Sequence, residues 1–323
     1  MTFWIDFLTA KQAIFFKYFM ERYNCISTTR QYSESVTTMK NIGIKADIIG
    51  RHGTNLIEKL IFSVERTKLL LDWFLEKKPN ALINHGSVEA SRIAFQAGIP
   101  IFDFNDTPES IYVAKLVCPL TTLMIVPENC RNEFKKYGAE RVIEYEGLTQ
   151  VTWLRRHKVD YNILNKLGFD ENKITVLVRD PAYYASHIES NHDTFLNLVN
   201  ELKKFEKEIN LIPIERYKGK FLDVQSLLHK CDIVIATGTI VGEAILCGVP
   251  LVIDYFPVLQ KMYEKYAREG LMLHLTNKEM IIREVKSFLS NPKKRKEILY
   301  NKLEDPLDIF DEILKKEFPQ LVS

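Results

Sequence analysis

Short apolar runs alternate with longer amphipathic stretches along the first half of the chain. Continuous apolar runs predict strands, and apolar residues that recur every three or four positions predict helices. This alternation is typical of an α/β protein whose parallel sheet is covered by helices on both faces. The predicted strands of this half are Phe3–Ile5, Cys25–Thr28, Ala46–Ile49, Ala81–Asn84, Ile101–Phe104, Leu123–Val126 and Val142–Tyr145.

The clearest helical pattern covers Leu56–Leu75. Its apolar residues keep helical spacing, and charged residues fill most of the other positions, which is the pattern of an amphipathic helix. The apolar series consists of Leu56, Leu60, Val64, Leu71 and Leu75. On the first helix, the aromatic residues Phe15, Phe16, Tyr18 and Phe19 are interpreted as core residues rather than as membrane anchors.

The alternation lapses around Thr149–Tyr161, a candidate linker, and then resumes. The predicted strands of the second half are Ile174–Val178, Asn210–Ile212, Ile233–Ala236, Leu251–Asp254 and Met272–Leu275. Its predicted helices are Thr194–Glu206, Val224–Lys230, Ile240–Cys247, Val258–Arg268, Lys278–Leu289 and Lys293–Asn301. We therefore predict two Rossmann-like domains, at 1–150 and 151–304, with any ligand in a cleft between them. Residues 305–323 are predicted to form an amphipathic helix that could pack back on the first domain.

The segment from Asp232 to Asp254 carries the strongest chemical signal. It predicts a buried strand, a tight turn at Thr237-Gly238-Thr239, a short helix and a second buried strand. Free N–H groups at the start of that helix are a natural seat for phosphate. Glu243 is the one carboxylate inside this apolar segment, and it is costly to bury unless it is bound to something. A nucleotide with its diphosphate on the turn and its ribose on Glu243 would satisfy both features; the alternative is an ordinary turn and a solvent-facing acid.

Composition narrows the classes of function. The net charge is +2, with 44 basic and 42 acidic residues, which argues against a dedicated nucleic-acid binder. Five cysteines with no C-x-x-C spacing favour reduced thiols over disulfides or zinc ligands. Charges at Asp6, Lys11 and Lys17 interrupt the apolar N-terminus, so no signal peptide is predicted. We expect a cytoplasmic protein that is at most peripheral at the membrane.

Several phrases, in order along nearly the whole chain, resemble an archaeal uncharacterised family known as domain of unknown function 354. They are WIDF at Trp4–Phe7, the stretch Ile83–Pro100, FNDTPE at Phe104–Glu109, VPE at Val126–Glu128, Tyr137–Gly147 and Thr237–Val252. The chain also resembles GT-B glycosyltransferases and UDP-N-acetylglucosamine 2-epimerases. This resemblance implies a GT-B-like fold and a nucleotide-sugar substrate, with a UDP-sugar expected. The chain departs from the family at Thr9–Ile14, where Gln12 and Ile14 stand in place of the family's histidines.

Candidate catalytic residues follow strands of the first domain. An inverting sugar transfer needs a base for the acceptor hydroxyl, and the candidates rank Asp106, then His85, then Glu109. Glu109 is placed a turn inside the next helix. The alternatives are structural. For His85 the alternative is a purely structural role, and for the FNDTPE phrase it is an Asx turn and helix N-cap. Gly86 is expected to have positive φ, and Ser87 to cap the next helix, where the epimerases have an aspartate.

Two arginines complete the predicted donor site. Arg179, at the end of the first strand of the second domain, would contact the diphosphate through its planar guanidinium, or form a surface ion pair with Asp180. Arg216 matches an arginine near the nucleotide base in the relatives. The basic run Lys293–Lys296 is interpreted as a solvated helix face.

The sequence therefore predicts a metal-independent glycosyltransferase without a cofactor, its donor held by Thr237, Gly238, Thr239, Glu243, Arg179 and Arg216. The alternatives are a nucleotide-sugar 2-epimerase and a non-catalytic nucleotide-sugar binder. The acceptor is not identified: a glycan, a lipid-linked group or a small molecule are all compatible. The sequence does not decide between a monomer and a homodimer.

Overall fold

The computed structural model of the chain describes residues 1–181, 192–215 and 222–321. It divides into two compact units, the first formed by Met1–Trp153 with Glu304–Ser323, and the second by Leu154–Leu303. Within the described residues, no helix is both long enough and apolar enough to span a membrane.

The first unit contains a seven-stranded parallel sheet in the order β3-β2-β1-β4-β5-β6-β7. Its strands are β1 (Phe3–Asp6), β2 (Cys25–Gln31), β3 (Asp47–Arg51), β4 (Ala81–Asn84), β5 (Ile101–Asp103), β6 (Leu123–Pro127) and β7 (Val142–Tyr145). Its helices are α1 (Ala10–Arg22), α2 (Ser33–Asn41), α3 (Leu56–Lys77), α4 (Val88–Gln96), α5 (Ile111–Val117) and α6 (Arg131–Lys136), together with the last helix of the chain, α14 (Pro306–Glu317).

The second unit contains a five-stranded parallel sheet in the order β12-β11-β10-β8-β9. Its strands are β8 (Ile174–Arg179), β9 (Ile209–Ile214), β10 (Ile233–Ala236), β11 (Leu251–Asp254) and β12 (Leu273–His274). The helices from the unit boundary onward are α7 (Val151–Leu154), α8 (Ile163–Lys166), α9 (His192–Leu202), α10 (Val224–Leu228), α11 (Thr239–Leu246), α12 (Glu264–Arg268) and α13 (Lys278–Ser290).

Aromatic packing covers both faces of the first sheet. On one face, the fully buried rings of Phe15, Phe16 and Phe19 from α1 surround Phe104, as the sequence predicts. Phe310 of α14 joins the same cluster. On the other face, a core cluster of Trp4, Leu70, Trp73, Leu82, Ala90 and Ile93 packs α3 and α4 against the strands. Neighbouring residues of β1 thus enter opposite cores, as the alternation of a strand requires.

The apolar series of α3 does not pack on the sheet. Leu56, Leu60, Val64 and Leu75 expose between 58% and 74% of their surface, and the helix instead buries Arg66, Leu70 and Trp73. The helix itself is well specified, because Asn55 caps its first turn by accepting the N–H of Glu58 at 2.9 Å. The amphipathic helix was therefore predicted correctly, but helical spacing identifies an apolar face without saying what covers it.

Two predicted helices of the second half also differ. Residues 293–299 form no helix, because their hydrogen bonds go elsewhere: Lys296 N–H donates to Gly248 O, and Leu299 N–H to Leu246 O. The Arg295 guanidinium donates to the carbonyls that end α10 and α11, namely Leu228, Cys231 and Cys247. Helix ends leave such carbonyls without internal partners. Arg295 is therefore structural and does not form a solvated helix face.

The helix predicted over Val258–Arg268 is restricted to Glu264–Arg268, after a short 3-10 turn at Lys261–Tyr263.

The candidate linker Thr149–Tyr161 also differs from its prediction, because its first residues are buried. Thr149, Gln150 and Thr152 are at most 2% exposed, and α7 starts at Val151. Polar residues in this stretch suggested exposure, but they hydrogen-bond inside the first unit.

Candidate functional site

The strand order points to one candidate binding edge in each unit. In the first, the chain leaves β1 for β2 and β3, then returns to the other side of β1 with β4. In the second, β9 and β10 flank β8 on opposite sides. Ligands of open α/β sheets bind at the carboxyl ends of strands where the order reverses in this way. The relevant strand ends are Asp6 and Asn84 in the first unit, and Arg179 and Ala236 in the second.

Three charged or titratable side chains meet at the edge of the first unit. Asp106 is fully buried and forms an ion pair with the Lys11 ammonium. The Nε2 atom of His85 lies 3.1 Å from Asp106 Oδ1 and 3.4 Å from Lys11 Nζ. His85 follows β4 directly, Asp106 follows β5 by three positions, and Lys11 lies in the first turn of α1. The fold thus joins two of the three predicted catalytic residues and adds a lysine that was not predicted.

Asp106 is held in its ionised form. Burial alone would raise the pKa of its carboxyl, but the Lys11 ammonium and the His85 ring outweigh burial and hold the pKa well below its ordinary value. The hydroxyls of Thr107 and Thr149 donate to it at 2.9 and 2.8 Å. A carboxylate so strongly stabilised is a poor proton acceptor at neutral pH. This argues for Asp106 as a positioning group.

The His85 ring is held in place by its neighbours. Because Asp106 is ionised, its oxygen at 3.1 Å requires a donor, which assigns a proton to Nε2. Both polar contacts of the ring with described residues involve Nε2, and no described residue hydrogen-bonds Nδ1. The Gln12 amide fixes the backbone by donating to His85 O at 3.1 Å. Gly86 has φ +66, as predicted. Carboxylate, imidazole and a free ring nitrogen form the arrangement of an oriented general base.

A second buried network lies beside this cluster. Asp6, at the end of β1, accepts from the guanidinium of Arg66 and from the hydroxyls of Thr28 and Ser87 at 2.5 to 2.6 Å. Arg66 also reaches Glu89 at 3.3 Å. Ser87 makes no capping bond to its helix, contrary to the prediction, because its hydroxyl is used by the buried carboxylate. All the charges in this network have partners.

Asp103 was overlooked in the sequence. It ends β5, is fully buried, and accepts the N–H of Gly86 at 2.9 Å through Oδ1. Its Oδ2 atom finds no hydrogen-bond donor among the described residues. Burial raises the pKa of this carboxyl to about 7, against the opposing effect of its hydrogen bonds. The sequence signal that could have identified Asp103 is an acidic residue at the end of a predicted strand, between two apolar residues.

Two local predictions near the cluster need correction. Thr9–Ile14 is no loop: Thr9 caps α1 and the remaining residues form its first turns. This placement directs Lys11 to Asp106 and Gln12 to His85. Glu109 lies in the turn before α5 rather than inside the helix. The Asx turn is present, since Asn105 Oδ1 accepts the N–H of Thr107 at 3.0 Å.

The edge of the second unit is built from backbone geometry. Gly238 joins β10 to α11 with φ +65, and a Cβ placed there would meet no atom within 4 Å. Its carbonyl accepts the Tyr263 hydroxyl at 2.9 Å, which fixes the turn. Thr237 and Thr239 flank it and are half-buried. Positive φ and open space at a helix N-terminus are compatible with close approach of an anion.

Glu243 does not face solvent. It is 3% exposed, and one carboxylate oxygen accepts the Gln225 amide of α10 at 2.8 Å. The alternative of a solvent-facing acid is therefore wrong. A buried Glu243 carboxylate with this hydrogen bond is compatible with a structural role. It is also compatible with binding the hydroxyl groups of a ligand.

Arg179 ends β8, and its carbonyl accepts the Tyr255 hydroxyl at 2.5 Å. Asp180 is 1% exposed, so a surface ion pair between these neighbours does not describe this position. Arg216 lies outside the described residues.

Sequence comparison gives a match over nearly the whole chain. A family model described as "Protein of unknown function (DUF354)" matches residues 1–317. An uncharacterized protein of Methanocaldococcus jannaschii is 27% identical over 334 residues, which cover 96% of this chain and 96% of the relative.

Solved structures agree in fold at low sequence identity. A UDP-GlcNAc 2-epimerase from Neisseria meningitidis, bound to UDP-GlcNAc, has a TM-score of 0.67 and 17% identity, covering 98% of this chain and 100% of that one. The spinosyn forosaminyltransferase SpnP has a TM-score of 0.62 and 13% identity, covering 99% of both chains. The predicted fold, GT-B-like with two Rossmann-like domains, is confirmed. Its structural neighbours are enzymes, both epimerases and glycosyltransferases.

Proposed function

We propose that this chain, which belongs to the DUF354 family, is a glycosyltransferase that moves a sugar from a UDP-linked donor to an acceptor hydroxyl. The second unit binds the nucleotide and the first unit binds the acceptor. The observation that carries this proposal is the His85–Asp106 pair: an ionised, buried carboxylate orients an imidazole whose Nδ1 has no partner among the described residues.

The chemistry assigns His85 first, ahead of Asp106. Proton removal from the acceptor hydroxyl needs a base with an available lone pair, and an imidazole held through Nε2 presents Nδ1 for this task. Asp106 is too strongly stabilised as an anion for this task, so it orients the ring and stabilises the imidazolium that forms. Lys11 positions Asp106. Glu109 is the third candidate.

On the donor side, the first N–H groups of α11 and the Arg179 guanidinium stabilise the departing diphosphate. Gly238 allows that close approach because no side chain occupies the space in front of it. Glu243 binds the ribose hydroxyls. These groups supply positive electrostatic potential from the protein itself, and the proposed transfer requires no metal ion.

The alternative enzyme is a nucleotide-sugar 2-epimerase. It is supported by the fold shared with the N. meningitidis enzyme and by Asp103, a strand-end carboxyl whose pKa of about 7 suits proton transfer. Ser87 argues against it, because this position carries an aspartate in the epimerases that the chain resembles, and the Ser87 hydroxyl is already bound to Asp6.

The test begins with a thermal-shift screen of nucleotide sugars, since a ligand that binds only the native state raises the apparent melting temperature. The donor identified in this way is then incubated with candidate acceptors. Release of UDP that requires an acceptor supports the transferase. Exchange of deuterium at C2 of the sugar without net transfer supports the epimerase. Binding with neither reaction would leave a non-catalytic binder, and absence of any binding would contradict all three.

A further inference from the structure

Helix α3 carries an exposed apolar stripe. Its members are Ile57, Leu60, Ile61, Val64, Leu71 and Leu75, which expose between 45% and 67% of their surface. At 100° per residue they lie on one face of the helix, opposite to buried Arg66, Leu70 and Trp73. Single exposed aliphatic residues are common, but a continuous apolar face on a soluble protein usually marks an interaction surface.

We propose that this stripe is the interface between two copies of the chain, with the two α3 helices antiparallel across a two-fold axis beside position 66. A two-fold interface requires that if residue i contacts residue j, then j also contacts i. The stripe meets this condition at five of its six members; the mirrored position of Leu60 is Asp72, which adds no apolar contact. Ile57 pairs with Leu75, Ile61 with Leu71, and Val64 with the aliphatic stem of Lys68.

The charges near the midpoint are complementary in the same arrangement. In an antiparallel pair centred on position 66, Glu65 of one copy lies beside Lys68 of the other, and the contact occurs twice. Neither residue forms an ion pair within the described part of the chain. The aliphatic stem of a lysine can cover apolar surface while its ammonium stays in water. Lys68 therefore fits inside the stripe without interrupting it.

The size of the stripe is adequate for the apolar part of a dimer interface. A fully exposed aliphatic side chain presents roughly 100 Å², by the ratio of its transfer free energy to the free energy per unit area. The six residues, at their observed exposures, then present roughly 350 Å² per copy. A standard interface buries about 800 Å² per partner, a little over half of it apolar. Phe95 on the neighbouring helix α4 is 54% exposed and extends the surface.

Charge also favours a second copy over a membrane surface. A helix that lies on lipid carries mainly Lys and Arg on its polar face. The exposed charged residues that accompany this stripe are Glu65, Lys68, Asp72, Glu76 and Lys77, three acidic and two basic. This balance provides no attraction to anionic lipid and allows pairing between copies.

The decisive experiment is a charge exchange followed by sedimentation velocity over about 1–100 µM protein. The wild-type chain is expected to be a dimer. Glu65→Lys places two lysines opposite two lysines, and Lys68→Glu places glutamates together, so each should weaken dimerisation at least about tenfold. The double variant Glu65→Lys/Lys68→Glu restores the opposite charges and should restore the dimer. All these residues are exposed, so the folded monomer should be unaffected, which circular dichroism checks.

A second variant tests the apolar contact. Ile61→Glu should give a monomer, whereas Leu196→Glu, at a 40% exposed leucine on α9, serves as the matched control and should leave the dimer intact. A monomeric wild type at all concentrations would overturn the proposal, as would a double charge variant that fails to recover. Binding to vesicles of phosphatidylcholine and phosphatidylglycerol that is lost in Ile61→Glu, in a monomeric wild type, would assign the stripe to a membrane instead.

Discussion

The two units place different kinds of chemistry at equivalent edges of their sheets. At the carboxyl edge of the first unit, buried charged side chains hold one another in position, with Asp106 between Lys11 and His85, and Asp6 bound by Arg66. At the edge of the second unit, the main feature is a backbone turn at Gly238 with open space before it. The same architecture can thus present either fixed side chains or a backbone turn with open space before it.

Under the proposed function, each unit serves a different step. Moving a proton requires a titratable group held at a fixed distance and in one tautomer, which buried charges provide. Binding a diphosphate requires several N–H donors and room for the anion to approach, which a glycine turn provides. Variants at the two edges should therefore separate turnover from nucleotide affinity.

The largest expected effect is at the turn of the second unit. Gly238→Val should abolish detectable UDP binding in calorimetry, because the side chain fills the open space and φ +65 is unfavourable for a branched residue. Gly168→Val is the matched control: Gly168 lies in the same unit, has φ +77 and likewise has no atom near its Cβ position. Normal UDP affinity in Gly238→Val would mean that the phosphate binds elsewhere.

The next effect concerns turnover in the first unit. His85→Gln should lower the rate by about 10²–10⁴ while UDP affinity is retained, since a general base contributes this much and the nucleotide is bound by the other unit. Asp106→Asn should also lower the rate, because the imidazole loses its orienting carboxylate. His229→Gln, at a histidine that hydrogen-bonds Tyr300 in the second unit, is the control. Full turnover in His85→Gln would exclude His85 as the base.

The sequence predicted the second edge better than the first, for a physical reason. The turn at Gly238 is local: strand, glycine and helix are contiguous, so their pattern is visible in the sequence. The cluster of the first unit joins Lys11, His85 and Asp106, which are far apart in sequence and meet only because β1, β4 and β5 are neighbours. No spacing rule links Lys11 to Asp106, and neither it nor the Arg66–Asp6 pair was predicted.

The exposed face of α3 illustrates a second limit. Helical periodicity located Leu56–Leu75 within two residues of the observed helix, Leu56–Lys77. It did not indicate that the core takes Arg66 from the opposite face, where the buried carboxylate of Asp6 requires a cation. In a sequence pattern, an arginine such as Arg66 is counted as a polar, solvent-facing position even when it is buried. The pattern therefore predicts a helix reliably but not the face that the sheet covers.

A smaller effect is expected at Glu243. Removing a carboxylate that accepts two ribose hydroxyls should weaken UDP binding by about 1.5–3 kcal/mol. Glu243→Ala is the test, measured by calorimetry, with Gln225→Ala as a control for loss of the Gln225–Glu243 hydrogen bond alone. If the two variants lose equal affinity, Glu243 acts through its packing. Unchanged affinity in the folded Glu243→Ala variant would remove it from the site.

The smallest effect compares one buried acid from each unit through pH. Burial raises the pKa of the Asp103 carboxyl to about 7 in the first unit and that of Asp254 to about 6 in the second. An unfolded aspartate has a pKa of about 3.9, so between these values the folded chain holds a proton that the unfolded chain releases. The free energy of unfolding therefore falls as pH rises, and for Asp103 the fall from pH 6 to 7 is about 1 kcal/mol.

Urea unfolding at pH 6 and pH 7 measures this change as a difference between the wild type and Asp103→Asn. Histidines held neutral by burial, such as His52, act in the opposite direction over the same range, and the difference between two variants cancels their contribution. Asp103→Asn keeps an oxygen that can accept the Gly86 N–H. It should reduce the decrease in unfolding free energy between pH 6 and pH 7. Asp254→Asn should change it by less than half as much, because that acid is mostly ionised by pH 7. Equal effects of the two substitutions would contradict a more strongly perturbed acid at the edge of the first unit.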